Sequence, residues 1–507
     1  MLMRRLDGNI TRIHSKETFI KYCERLNLMM RFSALSIIFG LFSLDLILAE
    51  DWPTYRHDNR RSGITYEVPE LPLTQNWLRT SPHPPMMAWS GPAKWDAYSG
   101  NKDLQSMRNF DPVFFVTVKG NSVFYGSSVD HGIHCIDIST GKEKWATFVT
   151  GAVRMPPTID GELCYFGSDD GYAYAVSSDN GNIKWKQGPA EDKRLISSNG
   201  KLISPWPVRT GVLIQNGLAY FAASLVPWEP SFMCSVDKIT GTPKYITKHP
   251  NMTLQGSLLS SSTTLYAPQG RSVPLLFDLK AGNAIKSVAN AGGTFCLLTE
   301  DDKLVAIPSS QKASGNMIQI ADPSGSSAML QFAGADRLLI SKDIAYIHQQ
   351  GKLKSLNRIE YGQATNSIGA NNKNIKSIGD KISKVKAALK KAIASKNEQS
   401  ITQLRSEISG MDKSLSGLKV LNVQLKNKLL KSYKWEVEAP APYDIILAGN
   451  IIFMGAKDSV LGFDAGSGKQ LWSAKVKGKT YGLAFSGGNL MASTTLGHIY
   501  CFSGPSS

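Results

Sequence analysis

The chain has 507 residues, of which 42% are apolar, and it contains 44 glycines and 24 prolines. That length can hold two or three domains or one large repeat array, and the composition is typical of a turn-rich β protein with a sizeable core. The net charge of +16 at pH 7 would by itself suggest binding to nucleic acid or to an anionic membrane. However, residues 1–34 carry +4 and residues 371–434 carry +11, which leaves about +1 for the rest. The main fold is therefore nearly neutral, and nucleic acid is not an expected partner.

The first predicted element is a secretory signal over residues 30–49, with a short basic region, an apolar run and a Leu-Ala end. A transmembrane anchor is the alternative, but the apolar run is short for a full span. We expect cleavage after Ala49 and a periplasmic or secreted protein. Residues 1–29 form an N-terminal extension, which a start at Met29 or Met30 would remove. No cysteine directly follows the expected cleavage site, so a lipoprotein anchor is not indicated.

Downstream of the signal, a Gly-x-x-x-Trp pattern recurs at the end of strand-like stretches. The copies are Gly141–Trp145, Gly181–Trp185, Gly241–Tyr245 and Gly468–Trp472. The first two copies are about 40 residues apart, which is the period of a four-stranded propeller blade. β-branched and aromatic residues fill the strands between turns that contain Gly, Asn and Asp. We predict that each Trp packs against the neighbouring blade and is not part of a substrate platform.

Counting the strand sets along the chain predicts an all-β fold, an eight-bladed β-propeller. Seven blades is the alternative count, because the fifth set, near residues 294–309, is degenerate and lacks the Trp. The last set lacks an outer strand, and the stretch near residues 73–80, with Trp77, has the missing character. We predict that this stretch pairs with the C-terminal strands and closes the ring, which removes free strand edges.

A Lys-rich stretch over residues 371–432, almost free of aromatic residues, interrupts the sixth set. Its apolar residues follow 3-4 spacing in two runs that a polar break at 395–398 separates. They are Ile375, Ile378, Ile382, Val385 and Leu389, then Ile401, Leu404, Ile408, Met411, Leu415, Leu418, Leu425 and Leu429. The pattern predicts an antiparallel coiled-coil hairpin with a first helix of about 24 residues, roughly 36 Å long. Asn422 takes a core position and is a candidate register device.

The predicted domains follow from this interruption. Residues 50–369 form the first part of the propeller, residues 370–432 the coiled-coil insertion, and residues 433–507 the last part of the propeller. Three functions of the insertion stay open, and we favour the first, which is binding of an envelope protein. The second is a passive spacer with a solvated basic face, and the third is contact of its lysines with anionic lipid or a cell-wall polymer. Other membrane contact is expected only through the signal.

Five cysteines remain after the signal, an odd number with no two adjacent in sequence. They are Cys135, Cys164, Cys234, Cys296 and Cys501. Most lie at strand positions among apolar neighbours, where cysteine commonly fills the core. The cysteines are compatible with export but do not predict a disulfide framework.

Two kinds of loop hold the candidate ligand-binding residues. The turns Asp130-His131-Gly132 and Asp169-Asp170-Gly171 offer carboxylates and an imidazole, although Asp and Gly are also ordinary turn residues. The loop SPWPVRTG (204–211) places Trp206 between prolines and close to Arg209. One interpretation is that this loop lines the channel mouth and binds an anionic ligand, and the other is a rigid connection between blades. No Ser-His-Asp order, metal spacing or phosphate loop predicts catalytic, cofactor-binding or metal-binding residues.

The phrases VFYGSSVDHGIHCIDISTGKEKW, YFGSDDGYAYAVSSDNGNIKW and VLGFDAGSGKQLW resemble the PQQ-like repeat. That family includes the quinoprotein alcohol dehydrogenases and the Bam-complex lipoprotein, both of them eight-bladed propellers. The segment DWPTYRHDNRRSG also resembles the N-terminal segment of large exported PQQ-like proteins. The resemblance covers roughly residues 51–369 and 433–507. It implies the fold more than an activity, because the repeat residues are those that build blades.

The resemblance leaves two functions open. In the alcohol dehydrogenases of the family, PQQ stacks against a disulfide between adjacent cysteines, and carboxylates hold Ca²⁺. This chain has no adjacent cysteines, and its propeller portion is short for a dehydrogenase, so PQQ and Ca²⁺ are not expected cofactors. We predict an exported, non-catalytic scaffold or a ligand- or protein-binding module of the cell envelope. A PQQ-dependent oxidoreductase is the alternative.

Overall fold

The structure, a computed structural model, describes residues 50–88, 110–189, 192–198, 200–226, 228–269, 272–288, 292–307, 317–323 and 328–505. The predicted extension (1–29) and signal (30–49) lie outside the described residues. The described chain is mostly β, with many four-stranded sheets and two long helices. The β class predicted from the sequence is therefore confirmed.

Six antiparallel sheets have four strands each, and the strands of each sheet follow one another along the chain. We number these sheets 1 to 6 and call their strands A to D in chain order. Sheet 1 consists of Val116–Lys119, Ser122–Gly126, Gly132–Asp137 and Glu143–Phe148. Sheet 2 consists of Thr158–Asp160, Leu163–Gly167, Ala173–Ser177 and Ile183–Gln187. Sheet 3 consists of Leu213–Gln215, Leu218–Ala223, Ser231–Asp237 and Pro243–His249.

The other three follow the same plan. Sheet 4 consists of Leu259–Ser260, Thr264–Gln269, Ser272–Asp278 and Ala284–Ser287. Sheet 5 consists of Gly292–Leu298, Leu304–Ile307, Met317–Ala321 and Ala328–Ala333. Sheet 6 consists of Ala335–Ser341, Ile344–Gln349, Lys352–Asn357 and Tyr433–Glu438. Sheet 5 corresponds to the degenerate fifth set, and it has all four strands although it lacks the Trp.

The final sheet has seven strands and joins the two ends of the described chain. Its order is Ile64–Thr65, Asp444–Ala448, Ile451–Asp464, Gln470–Ser486, Asn489–Thr494, Ile499–Ser503 and Thr74–Arg79. The long strand Gln470–Ser486 pairs with Ile451–Asp464 through its first half and with Asn489–Thr494 through its second. Thr74–Arg79 pairs antiparallel with Ile499–Ser503, with Trp77 opposite Cys501. The N-terminal strand thus covers the edge that the C-terminal strand would otherwise expose.

Neighbouring sheets meet through their A strands and through apolar side chains between their faces. Strand A of sheet 1 contacts strand A of sheet 2 on one side and the strand Gln470–Ser486 on the other. The apolar clusters lie between consecutive sheets; Phe124 of sheet 1, for example, packs with Phe166 of sheet 2. All five cysteines are buried, and none forms a disulfide within the described chain.

The recurring aromatic residues connect neighbouring sheets at six of the junctions in the described chain, but not between sheets 4 and 5 or between sheets 5 and 6. Each donates a hydrogen bond from its ring N–H or hydroxyl to a main-chain carbonyl of the following sheet. The acceptor lies in the turn before the outer strand of that sheet, and for Trp472 it lies just before the strand that contains Trp77. The pairs are Trp77–Ile138, Trp145–Ser178, Trp185–Lys238, Tyr245–Leu279, Trp435–Ala465 and Trp472–Leu73, at 2.7 to 3.4 Å. The prediction that these residues pack between blades is therefore confirmed.

The glycine of the same motif receives the aromatic ring of the preceding sheet. Gly181 has φ +72°, and a Cβ built on it would lie 2.5 Å from Cε3 of Trp145. A side chain at this position would therefore collide with the indole and would also strain the backbone. The two ends of the Gly-x-x-x-Trp motif thus make contacts with different neighbours, one on each side of the sheet.

Two helices, Arg358–Ala394 and Glu398–Lys431, stand between strands C and D of sheet 6. We call residues 358–431 the arm. The first helix has 37 residues, which gives a length of about 55 Å. The prediction of a first helix of about 24 residues that starts near 371 is wrong. The helix begins directly after Asn357, whose side chain caps it, and its first turns contact sheets 5 and 6.

Candidate functional site

Residues 50–67, which we call the N-terminal strap, cross one end of the ring. The strap bonds to the A strands of several sheets near their A–B turns. These main-chain hydrogen bonds are Val118 N–Trp52 O, Ile159 N–Pro53 O, Ser260 N–Asn59 O, Leu298 N–Arg60 O and Leu447 N–Gly63 O, at 2.7 to 3.0 Å. The strap therefore fastens together strands that lie far apart in the sequence, and it occupies this end of the ring.

Two arginines of the strap are buried beneath it. Arg56 binds Asp444 with Nη1 at 2.6 Å from Oδ1. Arg61 donates to the carbonyl of Leu258 and to the hydroxyl of Thr54, each at 2.8 Å. Burial lowers the pKa of Arg61 to about 10. Because buried charges are costly unless they are bonded, these contacts indicate a structural role.

At the opposite end, where the B–C turns lie, Asp169 binds two arginines. Asp169 lies in the B–C turn of sheet 2, and Arg154 and Arg209 precede the A strands of sheets 2 and 3. Asp169 Oδ1 is 2.7 Å from Arg209 Nε, and Oδ2 is 2.6 Å from Arg154 Nε. The side chains of Asp169 and Arg209 are 1% exposed. Burial alone would raise the pKa of Asp169, but the charges of Arg209 and Arg154 outweigh it, and this pKa is lowered.

A second aspartate completes this cluster. Asp111 Oδ2 accepts from Arg154 Nη1 at 2.8 Å and from the main-chain N–H of Ala88 at 2.8 Å. Its Oδ1 is buried and makes no hydrogen bond to the described residues. Burial raises the pKa of Asp111 despite the charge of Arg154. The formal charges of the two aspartates and two arginines sum to zero, and the cluster connects the segments that precede strands A of sheets 1, 2 and 3.

The four predicted candidate residues have different partners in the structure. Arg209 is buried on Asp169, whereas Trp206 is 5% exposed and packs between sheets 2 and 3. Asp130 pairs with His134 at 3.0 Å, and His131 Nε2 lies 2.7 Å from the ammonium group of Lys201. A ligand role for these residues stays a prediction.

The sequence did not identify Arg154 and Asp111, and it suggested Asp169 as a candidate ligand carboxylate or a turn residue, not as a counter-ion. One signal was present. The dipeptide Val-Arg stands before the A strands of two consecutive sheets, at Val153-Arg154 and Val208-Arg209. Such a repeated charge at a position that leads into a buried strand predicts a shared counter-ion, because buried charges are almost always paired.

The arm is a cationic rod with a short apolar groove near its tip. The residues that the 3-4 spacing identified are the less exposed ones of each helix, and Ile382 and Ile401 are buried. Of the basic residues in the arm, Arg358 is the one that forms an ion pair within the described chain. A groove of about 440 Å³ is lined by Lys386, Leu389, Lys390, Ile393, Arg405 and Ile408. This groove therefore combines apolar surface with three positive charges.

The base of the arm fixes it to two sheets. Arg358 Nη2 lies 2.8 Å from Asp301 Oδ1 in the A–B turn of sheet 5, and its Nε donates to the carbonyl of Lys342 in sheet 6 at 2.8 Å. Tyr361 stacks on Phe332 of sheet 5, with ring centres 5.1 Å apart. The first turn of the arm thus bridges sheets 5 and 6, where no Trp of the repeat is present.

Comparison with known proteins agrees with this architecture. Among solved structures, the computationally designed Ika8 protein has a TM-score of 0.50 and 11% identity, over 78% of this chain and 96% of that one. The quinohemoprotein alcohol dehydrogenase ADHIIG from Pseudomonas putida HK5 has a TM-score of 0.53 and 9% identity, over 90% of this chain and 80% of that one. Identities this low show the fold alone, which is that of a β-propeller.

The sequence comparison finds a family model that matches part of the chain. The family described as outer membrane protein assembly factor BamB matches residues 90–221. The resemblance to PQQ-like repeat proteins that the sequence predicted is therefore confirmed. No curated protein matches the chain significantly.

Two further observations concern membranes and metals. Neither arm helix is apolar enough over a sufficient length to cross a membrane, and the same holds for the described residues as a whole. The described residues bring no three His, Cys, Asp or Glu side chains together in a metal-binding arrangement.

Proposed function

We propose that this protein is an exported, eight-bladed propeller that acts as a non-catalytic scaffold and holds an envelope protein through its arm. The observation that carries the proposal is the apolar groove near the arm tip, far from the sheets that the arm base bridges. A spacer would need neither exposed apolar residues nor a groove, and Ile393 is 50% exposed there. The match to the BamB family, whose name describes an outer membrane assembly factor, supports an envelope location.

The blade count and the character of the arm are parts of this proposal. Eight blades follow if the seven-stranded sheet is divided at the middle of Gln470–Ser486, which gives a seventh blade and an eighth blade that Thr74–Arg79 completes. The arm is then an antiparallel coiled coil in which Asn422 sets the register. Asn422 donates to Asn372 at 3.0 Å, which supports that role. Residues 30–49 are its cleaved signal.

The groove indicates the chemistry of the partner. Leu389, Ile393 and Ile408 provide the apolar floor, and three basic side chains surround it. A helix or strand with an apolar stripe and flanking Asp or Glu residues would complement both features, because rim charges steer association and fix register. We therefore propose an acidic, amphipathic segment of an envelope protein as the occupant.

A variant with a shortened arm tests the proposal and keeps the base of the arm, which contacts sheets 5 and 6. Deletion of 381–394 and 398–411 removes two heptads from each helix, about 21 Å of the arm, and keeps the turn 395–397. A charge-reversal variant, K386E/K390E/R405E, changes the groove alone. The matched control K373E/K376E/K426E reverses three charges of the arm outside the groove.

Each protein would be used to capture partners from an envelope extract, with quantification by mass spectrometry. We expect one partner to bind to the wild type and to the control, and to be lost from the shortened and groove variants. Equal capture by all four proteins would reject the arm as a docking element and would favour the spacer interpretation.

The PQQ-dependent oxidoreductase is the alternative, and its fold is compatible because the Pseudomonas enzyme shares it. Two observations on the described residues disfavour the cofactor. Arg154 and Arg209 at the B–C end are already bound to Asp169, and the described chain offers no cluster of three metal-ligating side chains. Titration with PQQ and Ca²⁺ tests this alternative: a rise in Tm with dye-linked alcohol oxidation would establish it and refute the non-catalytic scaffold.

A further inference from the structure

The main-chain nitrogen of Glu50 lies against a buried carboxylate. As a peptide N–H, it donates to Glu67 Oε2 at 3.2 Å. Glu67 is 7% exposed, and it also accepts from the main-chain N–H groups of Gly487 and Gly488, at 3.0 and 2.5 Å. These two glycines form a turn of the final sheet, between Gln470–Ser486 and Asn489–Thr494. One carboxylate thus joins the first described residue to the C-terminal strands.

The side chain of Glu50 holds its own backbone in place. One carboxylate oxygen, Oε2, accepts from the Thr65 hydroxyl at 2.5 Å and from the main-chain N–H of Tyr66 at 3.1 Å. The other, Oε1, is 3.3 Å from His57 Nε2. The nitrogen of Glu50 is therefore presented to Glu67 by the folded strap, and no rearrangement is needed to keep it there.

We propose that Glu67 is the binding site for the new N-terminus that signal cleavage before Glu50 creates. The inference rests on the proposed export and on cleavage after Ala49. Hydrolysis consumes one water, leaves a carboxylate on Ala49 and an amino group on Glu50, and the amino group takes up a proton near neutral pH. A neutral N–H bond to Glu67 then becomes an ion pair between an ammonium and a carboxylate.

This ion pair links cleavage of the signal to attachment of the strap to the final sheet. A charge-assisted hydrogen bond is roughly twice as strong as a neutral one, and a buried carboxylate benefits more than an exposed one. At Glu67 the strap meets the turn between the C-terminal strands Gln470–Ser486 and Asn489–Thr494. Removal of the signal therefore tightens the junction between the strap and the final sheet.

The test uses protein that begins at Glu50, released from a fusion by a protease that leaves no extra residue. Four proteins are compared: the wild type and E67Q, each with a free or an acetylated N-terminus. Acetylation keeps the N–H but removes the charge. E67Q removes the negative charge and keeps one oxygen, which can accept from one of the two glycines. We expect acetylation to lower the Tm of the wild type and to leave the Tm of E67Q nearly unchanged.

A direct measurement of the pKa of the α-amino group of Glu50 completes the test. The titratable groups around this nitrogen are Glu67, the Glu50 side chain and His57. With ¹⁵N-labelled Glu50, we expect the pKa of the α-amino group to lie about one unit above its ordinary value of about 7.7–8.0, and to return to that value in E67Q. An ordinary pKa in the folded wild type would overturn the proposal, as would equal effects of acetylation in both backgrounds. If E67Q fails to fold, the pKa of the wild type decides alone.

The site of cleavage is a separate question with its own measurement. Mass spectrometry of the exported protein gives its first residue. A different first residue would refute the proposed processing, whereas an ordinary α-amino pKa in protein that begins at Glu50 would refute the role of Glu67 without affecting the scaffold function.

Discussion

Replacement of Asp169 by Asn should destabilise the protein more than any change of a surface carboxylate. Asp169 is the counter-ion of two buried arginines: its Oδ1 accepts from Arg209, and its Oδ2 accepts from both Arg209 and Arg154. Asparagine is nearly isosteric, but it has no charge and places an NH₂ group where one oxygen was. One guanidinium would then face a donor, and both would lose their closest negative charge.

The expected cost follows from this geometry. Removal of one partner from a buried ion pair costs about 3–5 kcal/mol, because the remaining charge is left uncompensated in the protein interior. Here Asp111 still contacts Arg154 and offsets part of the loss. We therefore expect a loss of about 3 kcal/mol or more in the free energy of unfolding.

Urea unfolding followed by tryptophan fluorescence measures this loss, with Asp179→Asn as control. Asp179 lies exposed in the C–D turn of the same sheet, and its replacement should change stability by less than about 0.5 kcal/mol. Because the folded pKa of Asp169 is lowered, its contribution is complete above the unfolded value of about 3.9 and is lost as the pH falls through the folded value. Equal midpoints for the two variants at pH 7 would refute the reasoning.

Two further substitutions have matched comparisons. Gly241→Ala should destabilise by about 2–4 kcal/mol, since its Cβ would lie 2.7 Å from the Trp185 ring at φ +72°. Gly161→Ala has φ +59° and open space, so thermal unfolding should show a loss of only about 1 kcal/mol; equal losses would contradict the packing role of the motif. His134 is buried, which alone would lower its pKa, but its two carboxylate partners outweigh this effect and raise the pKa. The stability that its ion pairs provide is therefore complete below pH 6.5 and is lost as the pH rises through the pKa of His134 in the folded protein. The Tm difference between wild type and His134→Gln should shrink from pH 6 to pH 9. A constant difference would show that a positive charge on His134 does not contribute to stability.

The repeat made much of the fold predictable. The spacing of Gly141 and Gly181 gave the four-stranded unit, and the contact of Trp145 with the next sheet follows from burial of a large aromatic residue at an outer strand. Such features depend on short stretches of sequence. Trp77 was recognisable for the same reason, because an outer strand without the rest of a repeat has to pair elsewhere.

The buried charges could not be predicted in the same way. Asp169 and Arg209 are 40 residues apart, and Arg56 binds Asp444 from the other end of the chain. The repeated Val-Arg dipeptide marks Arg154 and Arg209 but does not identify their partner. For Arg56, the sequence does not show which inner strands the strap crosses. Trp206 looked like a ligand contact because it is an aromatic residue in a Pro-rich loop, and that pattern does not distinguish exposure from burial.

The start of the arm also escaped prediction, and the reason explains why the arm lies where it does. In sheets 1, 3 and 4, an aspartate at the end of strand C accepts from the N–H groups two and three residues further on. These aspartates are Asp137, Asp237 and Asp278. A glycine with positive φ follows four residues after each aspartate, at Gly141, Gly241 and Gly282. It ends a single helical turn, as a glycine does after the last turn of a helix.

Sheet 6 begins the same turn and does not end it. Asn357 occupies the position of the aspartate, and its Oδ1 accepts from the N–H groups of Ile359 and Glu360 at 3.0 Å. The fourth residue is Tyr361 instead of glycine, so nothing reverses the chain and the turn continues as a helix. Tyr361 then stacks on Phe332 of the preceding sheet, at the place where the glycines of other sheets receive an aromatic ring. Because strands C and D of sheet 6 still pair, the arm extends a repeat element without disturbing the sheet, and its length can change as long as Arg358 and Tyr361 stay.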